Sequence, residues 1–504
     1  MLDKITKIFK TSLIYGLSNM FAKAAGVLLL PIHLQYFTVE EYGRLGLMLI
    51  SAMFISSVLI SGQNQAIIRF SNIPEYVSRR KSYFFSVFFV IGLWSILLVA
   101  ILLFFQEALA SLFPQPENYR EPIKLTAYLT GIMMLNNVLT NKLRADENPV
   151  MFFWGGFVKL LGIIGGTVWF VIYAGWNIEG VLLATIIGEV AAFFVMLPPI
   201  IKAIRIKFES ELLKESFKFG LPLIFSVIAL NFLVGIDRYI IQYLTDEYQL
   251  GLYELAYRIT GTINMFVVMP LNLTIFPVAY KIYKKDNDRY YYSKMMTFAM
   301  ILMVLPTLAV ALFGQEIVWI FDRSTNYYEA AEIVPYLASS YVFVGMTIIA
   351  ALGMYLTGKT KTVAVVNFLV SLLNVVLNFA LIPVIGVKGA AVATVISYIV
   401  LYKVSYLYSR KFYGFSFEFR KIYSLLAFTV LLYFIGILPG FENIYLNTIY
   451  KSGIIIFLPI SLFFTGYFAP HEKEAILKIL KSLKSPADLV NLVKGFISGD
   501  INIK

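Results

Sequence analysis

The stretch Gly180-Val-Leu-Leu-Ala-Thr185 returns in the second half of the chain as Gly389-Ala-Ala-Val-Ala-Thr394. A second stretch, Tyr36-Phe-Thr-Val-Glu-Glu-Tyr42, returns as Tyr243-Leu-Thr-Asp-Glu-Tyr248. The two repeats keep their order and nearly the same offset, and both lie between long hydrophobic segments. An internal repeat of membrane helices is typical of transporters that work by alternating access. The sequence therefore predicts two related helical lobes.

Composition predicts an all-α integral membrane protein. Of the 504 residues, 59% are hydrophobic and 14% are charged, and the mean hydropathy is +0.77. These values exclude a soluble globular protein. Apolar runs of ~20 residues, enough for a helix to cross a ~30 Å hydrocarbon core, recur along the chain. The first run is too long for a cleavable signal peptide.

Residue types exclude several chemistries. The chain has no cysteine and only two histidines, His33 and His471. A disulfide framework, a thiolate metal site and a cysteine nucleophile are therefore excluded, and histidine-based metal or acid–base chemistry is not expected. We predict a protein that is not an enzyme and that needs no metal and no cofactor.

About fourteen segments are long and apolar enough to span a membrane. In the first half they cover residues 11–31, 44–70, 82–105, 122–143, 150–173 and 178–201. In the second half they cover 216–240, 250–277, 294–317, 332–357, 361–385, 389–409, 421–439 and 449–468. The predicted units are a six-helix lobe at 1–205, a second at 206–412, two accessory helices at 413–470 and a cytoplasmic amphipathic tail at 471–504.

Loop charges predict the orientation. Alternate loops are basic, and the loops between them are acidic. The basic ones include Arg79-Arg80-Lys81, Lys142 with Arg144, Lys202 to Lys218, Lys281 to Arg289 and Arg410 to Lys421. The positive-inside rule places these loops and both termini in the cytoplasm. The same rule explains most of the net charge of +12, so no nucleic-acid partner is expected.

Ionisable residues deep in the hydrocarbon are candidate functional residues, because each costs roughly 2.5–3.5 kcal/mol to insert. Lys23 lies ~18 Å and Lys159 ~14 Å from the cytoplasmic ends of their spans, by helical rise. Glu189 ends at a similar depth and can pair with Lys159. Such a pair is equally well explained as a structural element of the bundle interior.

Further charges fall near span ends or on one helix face. Glu254 and Arg258 are four residues apart on the eighth span, close enough to bridge, as a structural pair or as a gate. Asp237 and Arg238 end the seventh span near the external interface, where a salt bridge is inexpensive. The cytoplasmic ends of other spans carry three cations that would ring a cytoplasmic cavity or simply reflect topology. These three are Arg69, Lys142 and Arg144.

Together these residues predict a cationic cavity that attracts a polyanionic head group such as a pyrophosphate. Polar stripes at helical spacing accompany the charges. One stripe comprises Tyr15, Asn19 and Lys23, and the other comprises Asn136, Asn137, Thr140 and Asn141. Tyrosine and asparagine around a chamber suit a sugar. The alternative is that both stripes hold membrane helices together.

Several short motifs, in order and spacing, resemble Wzx-type polysaccharide flippases of the multidrug/oligosaccharidyl-lipid/polysaccharide exporter superfamily. The likeness covers essentially the whole chain. It rests on Tyr15-Gly-Leu-Ser-Asn19, Leu30-Pro31, Thr38-Val-Glu-Glu-Tyr-Gly43, Gly220-Leu-Pro222, Asp237-Arg238 and the Gly-x-x-Gly-Ala-Ala-x-Ala-Thr pattern at 386–394.

The resemblance implies two six-helix lobes in a V, plus two C-terminal helices. It implies translocation of an undecaprenyl-pyrophosphate-linked oligosaccharide, destined for O-antigen, capsule or exopolysaccharide, from the cytoplasmic to the outer leaflet of a bacterial inner membrane. A polysaccharide polymerase and a chain-length regulator are the implied partners. Basic cavity residues would engage the pyrophosphate, and Lys23, Lys159 and Arg258 are the candidates by depth and charge.

Two other functions are compatible with the sequence. One is a drug or cation antiporter of the same fold, which usually carries an acid inside its first or seventh span. The other is a membrane-embedded polysaccharide polymerase or glycosyltransferase, which would need larger catalytic loops than this chain has. A proton or a sodium gradient can supply the energy, and Glu189, Asp237 and Glu254 are the acids available to couple it.

Overall fold

The structure is a computed structural model. It describes residues 16, 18, 21, 24–60, 62–202, 204–321, 326–414, 416–441, 443–474 and 477. The described part of the chain is predominantly helical and contains no β-strand. Lys23, Tyr15 and Asn19 lie outside the described residues, as does nearly all of the predicted amphipathic tail.

The described residues of the first half include eight α-helices with assigned bounds. They are α1 (Leu30–Tyr36), α2 (Val39–Leu59), α3 (Gln63–Asn72), α4 (Arg80–Phe104), α5 (Gln106–Ala110), α6 (Glu117–Ala145), α7 (Pro149–Thr167) and α8 (Ile178–Ile201). The predicted second span, 44–70, is divided into α2 and α3. The chain turns at Gly62, whose φ of +82° lies in the region that favours glycine.

In the second half the described residues form nine α-helices, and two more follow. They are α9 (Ser210–Leu244), α10 (Glu247–Ile263), α11 (Met269–Ile282), α12 (Asp288–Leu312), α13 (Gly314–Phe321), α14 (Ala330–Ala350), α15 (Leu352–Leu356), α16 (Thr360–Ile385), α17 (Val387–Tyr413), α18 (Phe419–Ile437) and α19 (Ile444–Phe464). A π-helical segment, Asn264–Val268, joins α10 to α11.

The repeated sequence stretches mark equivalent helix starts. Thr38 caps α2 by accepting a hydrogen bond from the Glu41 amide, and Glu41 accepts one from the Thr38 amide in return. Asp246 occupies the equivalent N-cap position of α10 and accepts a hydrogen bond from the Gln249 amide at 2.8 Å. The Gly-x-x-x-Ala-Thr repeats open α8 and α17. A Cβ on Gly389 would lie 2.6 Å from the Leu381 backbone, so these glycines permit tight helical hairpins.

Helix packing follows the same order in both halves. In the first, α7 packs on α8, α8 on α6, and α6 on α4 and α2. In the second, α16 packs on α17, α17 on α14, and α14 on α12 and α10. The halves meet where α2 packs on α10 and α9, and where α3 packs on α9. Two helix bundles of like construction therefore share one interface.

Charged loops gather at opposite ends of the bundle. At the end we call the basic end, Arg79 bonds Glu209 at 2.5 Å and Lys294 bonds Glu418 at 2.9 Å. The opposite end, here the acidic end, carries the starts of α2, α6, α10 and α14 with their glutamates.

Eleven helices in the described residues are long and apolar enough to cross a membrane. The number is twelve if the two arms of α9, bent by 47°, count as one span. The predicted fourteen includes two more segments. About half of residues 11–31 lies outside the described part, and α6 has 29 residues but carries too many polar side chains to count. The total of fourteen stays a prediction.

Candidate functional site

A cavity of about 530 Å³, the central cavity, lies between the two halves. It is bordered by residues of α1, α2, α6, α7 and α8 from the first half and of α9, α10, α14 and α17 from the second. Among the described residues, five charged ones line it: Lys159, Glu189, Arg238, Glu254 and Arg258. A site shared by both halves is the place where an alternating-access transporter holds its substrate.

Three of the charged side chains form a continuous chain of ion pairs between α9 and α10. The Arg238 Nε donates to Glu254 Oε2 at 2.8 Å, and Arg258 Nη2 donates to Glu254 Oε1 at 3.1 Å. Arg238 and Glu254 are buried, whereas the Arg258 side chain keeps 19% of its surface exposed. Arg258 is therefore the member of the chain that a ligand in the cavity can reach.

Asp237 extends this network, and its position corrects the prediction that it lies at an external interface. Helix α9 continues for seven residues beyond it, to Leu244, and its side chain is only 4% exposed. Asp237 accepts a hydrogen bond from the Tyr253 hydroxyl and pairs with Arg238 at 3.2 Å. Arg238 also lies 4.0 Å from the ring centre of Tyr257. Hydropathy placed both residues near the end of the predicted span, 216–240, and could not register the buried network around them.

Two glycines make room for the ion pairs. A Cβ on Gly46 would lie 2.6 Å from the Cγ atom of Glu254, and one on Gly26 would collide with the Arg258 guanidinium. Gly26 and Gly46 belong to the first half, so the charged network of the second half packs directly against its partner lobe.

Lys159 and Glu189 pair across α7 and α8. The Lys159 ammonium bonds Glu189 Oε1, and the Asn136 amide donates to Glu189 Oε2 at 2.6 Å. Glu189 is buried, but the Lys159 side chain keeps 24% of its surface exposed. Lys159, like Arg258, is thus a cation with a buried acidic partner and a surface open to the cavity.

A second cavity, the side cavity, measures about 360 Å³ and lies within the first half. Met133, Lys159 and Glu189 line both cavities, so the ion pair forms part of the wall between them. The side cavity extends from Lys159 towards Arg144 near the basic end of α6. Arg144 stacks on Phe152 at 5.1 Å.

The other two predicted cations lie elsewhere. Lys142 is 1% exposed and bonds Asp146 at 2.5 Å, beside a separate pocket at the basic end. Arg69 is exposed and stacks on Phe219 at 4.5 Å. The structure thus brings Lys159, Arg258, Glu189, Glu254 and Arg238 together around one cavity and Arg144 into its neighbour. The charges that line the central cavity are paired with one another, so among the described residues Arg258 and Lys159 stand out only as the cations whose side chains stay partly exposed.

Contacts at the acidic end close the central cavity between the halves. Arg44 of α2 pairs with Glu247 of α10 at 2.7 Å, and the Tyr119 hydroxyl donates to the same carboxylate at 2.6 Å. A Cβ on Gly43 would lie 2.7 Å from the Glu247 carbonyl oxygen, so the helices touch backbone to backbone. No pattern in the sequence indicated this seal, because Arg44 and Glu247 are 203 residues apart.

Comparisons with known proteins agree with this architecture. Residues 8–283 match the family described as polysaccharide biosynthesis protein, and residues 222–380 match the MatE family. The probable low-salt glycan biosynthesis flippase Agl15 of Haloferax volcanii is 23% identical over 351 residues, which are 68% of this chain and 72% of that protein.

Two solved structures are similar in fold. The lipid II flippase MurJ in an inward closed conformation has a TM-score of 0.72 at 16% identity, over 90% of this chain and 99% of that one. An inward-facing multidrug resistance MATE family transporter has a TM-score of 0.66 at 16% identity, over 77% of this chain and 94% of that one.

Proposed function

The chain belongs to the polysaccharide biosynthesis protein family, and on that basis we propose that it is a flippase for lipid-linked glycans. Its substrate in this proposal is an undecaprenyl-pyrophosphate-linked oligosaccharide. The chain moves it from the cytoplasmic to the outer leaflet of a bacterial inner membrane. The observation that carries the proposal is the central cavity between two like halves, with Arg258 and Lys159 exposed to it.

The two exposed cations supply the phosphate-binding chemistry. Each is held by a buried carboxylate, Glu254 for Arg258 and Glu189 for Lys159. A pyrophosphate entering the cavity competes with these carboxylates for the cations, since charge-assisted bonds to phosphate oxygens are strong in a water-poor site. Binding therefore loosens contacts within α10 and between α7 and α8.

Orientation and partners follow from the same proposal. The basic end faces the cytoplasm, both termini lie there, and the acidic end faces the outer leaflet, in accordance with the positive-inside rule. A polysaccharide polymerase and its chain-length regulator then take the glycan that emerges. A proton or sodium gradient drives the cycle through one of the buried acids, Glu189, Asp237 or Glu254.

A second candidate, an ion-coupled exporter of cationic drugs, is favoured by one observation. Asp237 is buried inside the seventh span, where an acid is expected in such exporters. Its carboxylate is already engaged by Arg238 and Tyr253, which leaves it less available to a cation. The first candidate therefore has the stronger support.

Gene deletion with complementation tests the proposal. We expect loss of a surface polysaccharide and accumulation of lipid-linked oligosaccharide on the cytoplasmic leaflet. Arg258→Gln and Lys159→Met should fail to restore the polymer although the proteins reach the membrane. Arg410→Ala, a change at an exposed cation of the basic end, should restore it. Normal polysaccharide with new sensitivity to cationic drugs would favour the second candidate.

A further inference from the structure

The side cavity is unusually rich in carboxamides for a membrane-embedded space. Five amide side chains line it, together with the Thr140 hydroxyl. The amides are Asn64 and Gln65 on α3 and Asn136, Asn137 and Asn141 on α6. Asn64 and Gln65 come from a helix that the hydropathy pattern merges with α2. Two helices therefore present their amides to one space.

Only part of this set is used to hold helices together. The Asn141 amide donates to Asn64 Oδ1 at 2.7 Å, which joins α6 to α3, and Asn136 donates to Glu189 on α8. The buried Asn136 Oδ1 has no hydrogen-bond partner, and an unpaired polar atom in a buried space costs free energy. Beside it, the partly exposed Asn137 and the exposed Gln65 present their amides to the same cavity. These three groups therefore point to a ligand.

The chemistry of the lining selects the class of ligand. A carboxamide offers both donors and an acceptor, which matches the alternating donor and acceptor character of sugar hydroxyls. A lipid tail would need an apolar wall, and a cationic drug would need an unpaired carboxylate, which this cavity lacks because Glu189 is bonded to Lys159. A volume of about 360 Å³ is at the small end of ligand sites and suits one or two sugar rings.

The side cavity borders the central cavity at Lys159. A phosphate bound to Lys159 from the central cavity would have the side cavity directly behind it, since Met133, Lys159 and Glu189 line both. We propose that the side cavity is a sugar subsite. It receives the ring next to the pyrophosphate, and Asn137 and Gln65 select among sugars. The inference rests on the proposed flippase function and deepens it.

Binding to the purified full-length chain tests the subsite. Two probes are compared: the lipid-linked oligosaccharide isolated from the deletion strain, and undecaprenyl pyrophosphate without sugar. We expect the sugar-bearing probe to bind the unmodified chain more tightly. Asn137→Leu and Gln65→Leu should each reduce that advantage about fivefold, the worth of roughly one hydrogen bond, and leave the affinity for undecaprenyl pyrophosphate unchanged.

Two controls separate the subsite from the function on which it rests. Asn118→Leu, at the acidic end of the same helix α6, should preserve the advantage, whereas Arg258→Gln should weaken both probes alike. An unchanged advantage in both amide variants, with Arg258→Gln still weakening both probes, overturns the sugar subsite and leaves the flippase intact. A deletion strain that accumulates no lipid-linked oligosaccharide overturns the flippase, and the subsite with it.

Discussion

Arg238 lies between two carboxylates, Asp237 and Glu254, and its side chain is 3% exposed. Glu254 in turn carries two arginines, Arg238 and Arg258. Buried charges of this kind are stable only as a set, since the loss of one member leaves its partners uncompensated in a medium of low dielectric constant. The network therefore connects α9 to α10 at the wall of the central cavity.

Glu254→Ala should lower the free energy of unfolding by about 3–5 kcal/mol, because two arginines lose their shared counter-charge. Equilibrium unfolding of the purified protein in mixed micelles measures the change. The matched control is Glu107→Ala. Glu107 pairs with Arg120, both side chains are more than half exposed, and such a surface pair contributes about 0–1 kcal/mol to the free energy of unfolding. Equal losses in both variants would mean that water in the cavity solvates the arginines.

At this scale the sequence predicts pairs along one helix better than pairs between helices. The spacing of Glu254 and Arg258 allowed their bridge to be predicted, and helix depth allowed the Lys159–Glu189 pair. The partner of Arg238 could not be predicted from hydropathy, because a charged dipeptide near the end of an apolar run is read as a span boundary. The amides of α3 were missed because residues 44–70 were predicted as one continuous span, whereas the chain turns at Gly62 and begins a separate, more polar helix there.

Among the elements, α2 and α10 are in the closest contact across the two halves. Gly43 and Gly251 face each other near the acidic end, and a Cβ on Gly251 would collide with the Val39 backbone. Backbone atoms cannot move aside as a flexible side chain can, so any larger residue there must separate the helices.

Gly251→Ala should therefore open the acidic end. In this cysteine-free chain, a single cysteine at Met133, which lines the central cavity, reports the change through labelling by a membrane-impermeant maleimide from outside. We expect several-fold faster labelling than without the glycine change. Gly453→Ala on α19, where a Cβ would meet nothing within 4 Å, should leave the rate unaltered. Unchanged labelling in Gly251→Ala would show that this contact does not hold the cavity closed.

The accessory helices are attached at both ends. Near the acidic end, Lys451 of α19 bonds Glu316 of α13 at 2.5 Å, in a buried contact. At the basic end, Lys294 of α12 bonds Glu418 at 2.9 Å and Glu472 at 2.7 Å. Burial raises the pKa of both carboxyls, but hydrogen bonds lower it by more. Glu418 accepts from Thr297 and Lys294. Glu472 accepts from Lys294 and from the Ala469 amide. Each pKa therefore lies below its ordinary value of 4.5.

The stability given by this cluster should depend on pH. A carboxylate whose pKa is lowered by folding contributes its full stabilisation above pH 4.5, where the carboxyls of the unfolded chain are ionised too. The contribution is lost as the pH falls through the pKa of the folded state. The melting temperature of the unmodified chain should exceed that of Glu418→Gln/Glu472→Gln at neutral pH, and the two should converge below pH 4.5. The control is Glu474→Gln, an exposed neighbour. A constant difference down to strongly acid pH would contradict the assignment.

Helix identity was predictable because long apolar runs leave few alternatives in a membrane, and the boundaries of α8 and α16 were predicted to within a residue. Helix α6 shows the limit of that reasoning. Residues 122–143 were predicted as a span, yet the asparagines make the helix too polar to count among the apolar helices of the structure, although its 29 residues are enough to span the bilayer. Those asparagines face the side cavity, so the property that obscures the span also serves the site.

For the whole molecule, the positive-inside rule gives a direct prediction of orientation. Single cysteines at Glu117, on the acidic end, and at Lys285, on the basic end, can be labelled separately because the chain has no other cysteine. A membrane-impermeant maleimide should label the first on intact cells and the second only after permeabilisation. The unmodified chain is the blank, and the reverse pattern would invert the proposed direction of transport.

Within the described part of the chain, the residues that line the side cavity all belong to the first half, whereas both halves line the central cavity. If the lobes rock as rigid bodies, a group held in the side cavity keeps the same neighbours throughout the cycle, while one held in the central cavity exchanges them. A ligand shifts a conformational equilibrium only through a difference in its affinity for the two states. The sugar then decides which substrate is accepted, and the pyrophosphate is the part of the substrate that shifts the equilibrium between the two states of the lobes.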